Sequence, residues 1–211
     1  MELAELTVRG FTEEIASASP APGGGSAAAL VGAVGAALTV MVSGLTLGRK
    51  KYEAVQELVL RAQAQADALR KRLLAAMEQD TQAFLQVSAA YAMPKQTPEE
   101  KQARSSAIEQ GLKACTQPPL AVMQLCAEGL ELLESLLGKT NATAASDFGV
   151  ACLSLRAGMQ GAWLNVCINT GSLHDAAFAA GARAAGQKLL DTGLPRADRC
   201  YAAMLAACSE K

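Results

Sequence analysis

Asp80 interrupts an apolar helical seam. From Leu58 onward, Ala62, Ala66, Leu69, Leu73, Met77, Asp80, Phe84, Val87 and Tyr91 follow one another at three or four residues, the spacing that lines one side of a helix. Withdrawing a carboxylate from water costs several kcal/mol unless it is paired or hydrogen-bonded. Asp80 is therefore either a structural pair at the seam's edge or a reactive acid whose pKa its surroundings raise.

A second set of polar residues lies between Ser146 and Asn169. At about 100° per residue, Arg156 and Gln160 share one side of a helix, while Asp147, Ser154, Asn165 and Asn169 cluster roughly opposite. Asp147 and Asn165 fall on one line about five turns apart, at roughly 3.6 residues per turn, with Gly158 on the line and Gly161 beside it. If Arg156 and Gln160 face water, the other line faces inward and its glycines leave room for a ligand. Carboxamides both donate and accept, which suits a flat heterocycle with mixed polar edges. The same residues also fit hydrogen-bonded glue between helices, and Asp147 fits a helix N-cap or first-turn acid.

The stretch SPAPGGGSAAAL, Ser19 to Leu30, runs three glycines into a helix start, where free N–H groups favour an anion. It is not a nucleotide loop. That motif needs a preceding strand and a Gly-Lys-Ser/Thr ending, whereas Pro20-Ala21-Pro22 comes before these glycines and Ala27 follows Ser26. Arg49, Lys50 and Lys51 stand after the next helical segment, either as cations at its negative end or as a place that steers a ligand's carboxylate tail. The only histidine, His174, reads as a residue at a helix start rather than as part of a Ser-His-Asp triad. One histidine and cysteines without metal-ligand spacing give no reason to expect a metal.

The elements that must position these residues are helices, because helix formers dominate and β-branched runs are short. Helices are expected over 3–17, 26–47, 51–92, 98–117, 119–137, 144–170, 173–191 and 195–209, with Pro94 and Pro98, Pro118-Pro119, and Thr192-Gly193 with Pro195 as breaks. Short connections imply antiparallel neighbours, so the fold class is an all-α, single-domain antiparallel bundle over residues 1–211.

Nineteen basic and 20 acidic residues leave a formal net charge of -1, which gives no general attraction for nucleic acid or acidic membrane. Six cysteines without a Cys-x-x-Cys pair fit a reducing cytoplasm. Glu2 to Ile15 is acidic and amphipathic, unlike a secretion signal, so no export is expected. Ser26 to Gly48 is uncharged over a length that could span a bilayer. Its Ala, Gly, Ser and Thr content inserts poorly, and small residues at Ala28, Gly32, Gly35, Thr39 and Ser43 suit close helix packing, in the core or at a dimer contact.

Five blocks carry a family resemblance: PAPGGGSAAAL, LTLGRKKY (Leu45 to Tyr52), EQDTQAF (Glu78 to Phe84), NATAASDFGVA (Asn141 to Ala151) and GAWLNVCIN, which holds Asn165 and Asn169. In order, and over nearly the whole chain, they resemble the formiminotransferase-cyclodeaminase C-terminal domain and the stand-alone methenyltetrahydrofolate cyclohydrolases. Thr140 and Thr143 depart from the Gly and Asn common in that family. The resemblance implies an all-helical homodimer acting on the one-carbon unit of tetrahydrofolate, with no cofactor beyond the folate substrate itself. Gly23, Gly24, Gly25 and Ser26 would then shape the folate pocket and Asp80 would relay protons. Asn165, Asn169 and Asp147 would position the bridge, Asn141 would bind substrate, and Arg49 and Lys50 would receive the glutamate tail. Hydrolysis of 5,10-methenyltetrahydrofolate is the expected reaction, because no formiminotransferase domain accompanies the sequence. Deamination of 5-formiminotetrahydrofolate is the alternative, and a non-enzymatic helical oligomerisation module a further one.

Overall fold

Long amphipathic segments of helix formers close their backbone hydrogen bonds internally and bury one side against one another. The computed structural model describes residues 2–209, among which six α-helices and no strand form. They are α1 (Val8–Ala16), α2 (Gly24–Gly44), α3 (Gln56–Tyr91), α4 (Pro98–Ser135), α5 (Ala145–Gly171) and α6 (Ala176–Ser209). Short 3-10 segments stand at Leu3–Glu5, Lys50–Val55 and Ala142–Ala144. The starts have local chemistry: a capping box joins Thr97 and Glu100 at α4, and Asp175 Oδ1 accepts the Phe178 N–H at 3.0 Å at α6. His174 sits at that start, as expected.

The expected breaks at Pro118-Pro119 and Pro195 do not occur. Helices 98–117 and 119–137 are one helix, α4, and 173–191 and 195–209 are one helix, α6. A proline lacks the N–H that would bond the carbonyl four residues back, so a helix continues through it where the released carbonyl finds another donor. Pro118 and Pro195 release Ala114 and Asp191, both on exposed turns. Pro119 releases Cys115, whose carbonyl accepts from Asn169 Nδ2 at 2.8 Å. Three further boundaries differ. The segment expected at 3–17 is a 3-10 turn and then α1, that at 26–47 starts at Gly24 and ends at Gly44, and that at 51–92 opens as a 3-10 turn before α3.

Neighbouring helices run antiparallel. Along α2, Gly32 approaches Leu73 of α3 and Gly44 approaches Gln63, while Gly24 approaches Asn165 of α5 and Gly35 approaches Leu155. A side-chain carbon added at Gly35 would lie 2.8 Å from the Ala151 carbonyl oxygen, and one at Gly158 would lie 2.9 Å from that of Ala28. The small-residue line of α2 is thus what lets α5 come close, and it lies in the core. Around it Leu73, Met77, Met123, Leu130, Leu155 and Met159 are fully buried, each contributing about 1.5–3 kcal/mol.

One side of this helix pair is uncovered. Val31, Val34 and Met41 of α2 and Val150, Leu153, Leu164 and Ile168 of α5 are exposed, Leu164 to 68% and Ile168 to 70%. By length and composition α2 is apolar enough to cross a membrane, yet it packs against α3, α4 and α5.

Candidate active site

The site forms where the start of α2 meets the later half of α3. Gly25 and Ser26 lie in the first turn of α2 and are buried. Ser26 Oγ reaches across to α3, 2.9 Å from Asp80 Oδ2, 3.0 Å from Thr81 Oγ1 and 3.3 Å from the Met77 carbonyl oxygen. Any side chain at Gly25 would displace Asp80. A carbon built on Gly25 would stand 2.6 Å from Asp80 Cγ, inside the carboxylate's own volume. Small residues on α2 thus let an acid from α3 lie against the beginning of a helix, where partial positive charge favours it.

Burial pushes the Asp80 carboxyl above the usual carboxylate range, and the hydroxyl and backbone N–H of Ser26 offset part of that rise. A cavity of about 160 Å³ opens beside it. The glycines Gly23, Gly24 and Gly25 form one wall, and Asn165 and Asn169 of α5 another. Asn165 Nδ2 donates to the Gly161 carbonyl at 2.9 Å, and Asn169 Nδ2 to that of Cys115. With each amide nitrogen tied to backbone, the amide orientation is set.

Asp80, Gly23, Gly24, Gly25, Ser26, Asn165 and Asn169 are therefore gathered around one cavity. Arg49, Lys50, Asn141 and Asp147 are not. They lie at the far ends of α2 and α5, about 30 Å away for a 21-residue helix at roughly 1.5 Å per residue. Arg49 Nε donates to the Leu45 carbonyl at 2.7 Å and Asn141 Nδ2 to the same oxygen at 3.1 Å, so both cap α2. Asn141 is buried and also receives the Thr143 N–H at 3.2 Å. Asp147 occupies the first turn of α5, and Lys50 is exposed.

Sequence reasoning passed over Thr81, Phe84 and Cys115 as site residues, and they line the cavity together with Pro20 and Ala21. Phe84 stands one turn beyond Asp80 on the same seam, a signal available in the spacing. Thr81 lies inside the EQDTQAF block but, like Cys115, has no distinguishing pattern of its own, since a threonine beside an acid and a cysteine in an apolar pattern are commonplace. Burial, and then the charge of Asp80, push the Cys115 thiol up to about 11, so it stays neutral. A larger groove of about 490 Å³ between α3 and α4 holds the exposed Arg72–Glu128 ion pair and no withdrawn acid. Among the described residues no three His, Cys, Asp or Glu side chains gather as metal ligands.

A family model described as formiminotransferase-cyclodeaminase matches residues 7–188. A methenyltetrahydrofolate cyclohydrolase from Methylorubrum extorquens is 44% identical over 173 residues, 82% of this chain and 83% of that protein. A formimidoyltransferase-cyclodeaminase from Mus musculus is 35% identical over 176 residues, 83% of this chain but 32% of that much longer protein. The solved structure of a formiminotetrahydrofolate cyclodeaminase from Thermotoga maritima superposes with a TM-score of 0.81 at 27% identity, covering 98% of this chain and 97% of its own.

Proposed function

The chain belongs to the formiminotransferase-cyclodeaminase family, and on that premise we propose that it hydrolyses 5,10-methenyltetrahydrofolate to 10-formyltetrahydrofolate. It is an enzyme of folate one-carbon chemistry. The observation that carries the reaction is the half-buried Asp80, held between the glycine turn of α2 and the two asparagines of α5.

The methenyl carbon is cationic and bridges N5 and N10, so a carboxylate beside it both stabilises charge and takes a proton. Water adds to that carbon and gives one proton to Asp80. The bond from carbon to N5 then breaks, its electron pair stays on N5, and the proton held by Asp80 goes to N5. The remaining hydroxyl proton leaves to solvent as the formyl carbonyl forms on N10. Asn165 and Asn169 orient the bridge through their amide oxygens. No step in this sequence calls on a metal or a redox cofactor.

A second reading, release of ammonia from 5-formiminotetrahydrofolate, is favoured by the Thermotoga maritima likeness over nearly the full length of both chains. Purified protein incubated separately with the two folates, with methenyl absorbance and ammonia followed, separates them. Loss of methenyl absorbance without ammonia supports hydrolysis. Ammonia released from the formimino substrate overturns the preference.

The working form we propose is a homodimer joined through the exposed apolar side of α2 and α5, a patch of the kind soluble monomers seldom leave open. The cavity is also smaller than the roughly 300–1,000 Å³ that encloses a drug-sized ligand, which supports closure by a second copy. In a two-fold pairing with α2 running against its counterpart, the Arg49–Lys50 end of one protomer would meet the folate tail of the other. Free thiols at all six cysteines support a reducing cytoplasm.

A further inference from the structure

The hydroxyl of Ser26 has one proton and three oxygens within reach: Asp80 Oδ2 at 2.9 Å, Thr81 Oγ1 at 3.0 Å and the Met77 carbonyl at 3.3 Å. Where that proton points decides how Asp80 is held. The Met77 carbonyl lies inside α3, where it faces the N–H one turn on, and it is the farthest of the three. The carboxylate is the nearest and the charged one, so it takes the Ser26 proton. Thr81 must then be the donor in its contact with Ser26, because Ser26 has no second proton to give. A hydroxyl that accepts one hydrogen bond donates the next more strongly.

We propose that Thr81 is a positioning residue of the reaction described above: by donating to Ser26 Oγ it commits the Ser26 proton to Asp80 Oδ2, so that the proton Asp80 exchanges with substrate is carried on Oδ1. An oxygen that already receives a hydrogen bond is the poorer site for the acid's own proton. Without Thr81, Ser26 is free to turn toward Met77, and both carboxyl oxygens become available to protonate.

The other groups around Asp80 leave this network in control of its titration. From α4 comes Cys115, neutral because its thiol is pushed up to about 11. From α5 come the uncharged Asn165 and Asn169, and from α2 the backbone at Gly25 together with the Ser26 hydroxyl and backbone N–H, the latter unchanged in every Thr81 variant. On α3 itself, Glu78 is turned away to accept the Ala4 N–H at 3.1 Å. No basic side chain lines the cavity among the described residues.

The test uses Thr81→Val, which keeps the side-chain shape and loses the hydroxyl, Thr81→Ser, which keeps the hydroxyl, and Thr81→Ala as a smaller second deletion. Carbon-13 NMR of aspartate-labelled protein gives the Asp80 titration directly, the resonance being the one missing from Asp80→Asn. In Thr81→Val and Thr81→Ala the midpoint is expected to rise by roughly half a unit to one unit, and in Thr81→Ser to stay with the parent. The acidic limb of kcat/KM for methenyltetrahydrofolate should move with it, leaving the valine variant roughly three- to tenfold slower on that limb. Titration of Thr81→Val together with the parent, or an equal shift in Thr81→Ser, overturns the proposal. The inference rests on the assigned reaction only for its kinetic half. If the parent turns over neither folate, that assignment fails, while the NMR midpoints still decide the network.

Discussion

Asn169 donates to the Cys115 carbonyl at 2.8 Å, the oxygen that Pro119 leaves without a helical donor. One contact thus lets α4 pass through a proline and fixes an amide at the edge of the active-site cavity. Asn169→Ala should cost about 1–3 kcal/mol, the penalty for a buried carbonyl without a partner. In a Pro119→Ala background the helix supplies its own N–H, and the same change should cost about 1 kcal/mol less. Urea denaturation of the four proteins measures the coupling. Additive costs would mean that the two residues do not share this carbonyl.

Gly25→Ala separates fold from chemistry. Alanine suits a helix better than glycine by about 1 kcal/mol, so thermal stability should hold. The added carbon would stand 2.6 Å from Asp80 Cγ and push the carboxylate away. Displacement of a catalytic group by about 1 Å can cost on the order of 100-fold, and kcat should fall by that order while the melting temperature changes little. A variant with full kcat would remove Asp80 from the reaction.

Asp80→Asn should lower kcat by about 100- to 10,000-fold, the usual contribution of a positioned acid or base. Its stability effect has the opposite sign. The folded-state pKa of Asp80 is raised by burial, so its contribution to stability is fully present below the unfolded carboxylate pKa and is lost as pH rises through the folded value. Near neutral pH the parent therefore carries a penalty that the asparagine variant lacks. Unfolding followed from neutral to acid pH should show the variant more stable at neutrality and the gap closing in the acid range. A pH-independent gap would show that Asp80 is not desolvated.

The exposed apolar side predicts an assembly. Leu153→Glu and Val34→Glu introduce charge at its middle, where the parent side chains are 41% and 47% exposed. Neither lines the cavity. Sedimentation should show a dimer for the parent and a monomer for the double variant, with KM for folate raised. A monomeric parent would exclude this interface.

Much of this arrangement was legible in the sequence because periodicity reports which side of a helix a residue occupies. Asp80 on the apolar seam and Asn165 and Asn169 on an inward line are legible that way; the glycines before Ser26 stand out at a helix start, and their place in a pocket is implied only by the family resemblance. Periodicity says nothing of distance along the axis. Asp147 shares the line of Asn165, yet about five turns at roughly 3.6 residues each put it at the far end of α5. The prolines misled for a different reason: whether Pro119 ends a helix depends on a donor 50 residues further along the chain, which no local pattern contains. Thr81 acquires significance only when Ser26 is brought against it from α2.

The distance between the cation pair and the cavity gives the remaining test. Arg49 and Lys50 are separated from Gly24 by the whole length of α2, so in the proposed dimer their role in holding the glutamate tail is exercised on the partner's substrate. Arg49 also caps α2, and its removal carries a stability cost unrelated to binding, whereas Lys50 is exposed. Two solvent-exposed charge contacts are worth about 0.2–1 kcal/mol each, so removing both should raise KM by about 2- to 30-fold with kcat nearly unchanged. Lys50→Ala alone should take the smaller part of that rise, and added salt should shrink it. In the monomeric Val34→Glu, Leu153→Glu background the same substitutions should leave KM where it is, because no partner end reaches the cavity. Equal effects in dimer and monomer would place the tail elsewhere.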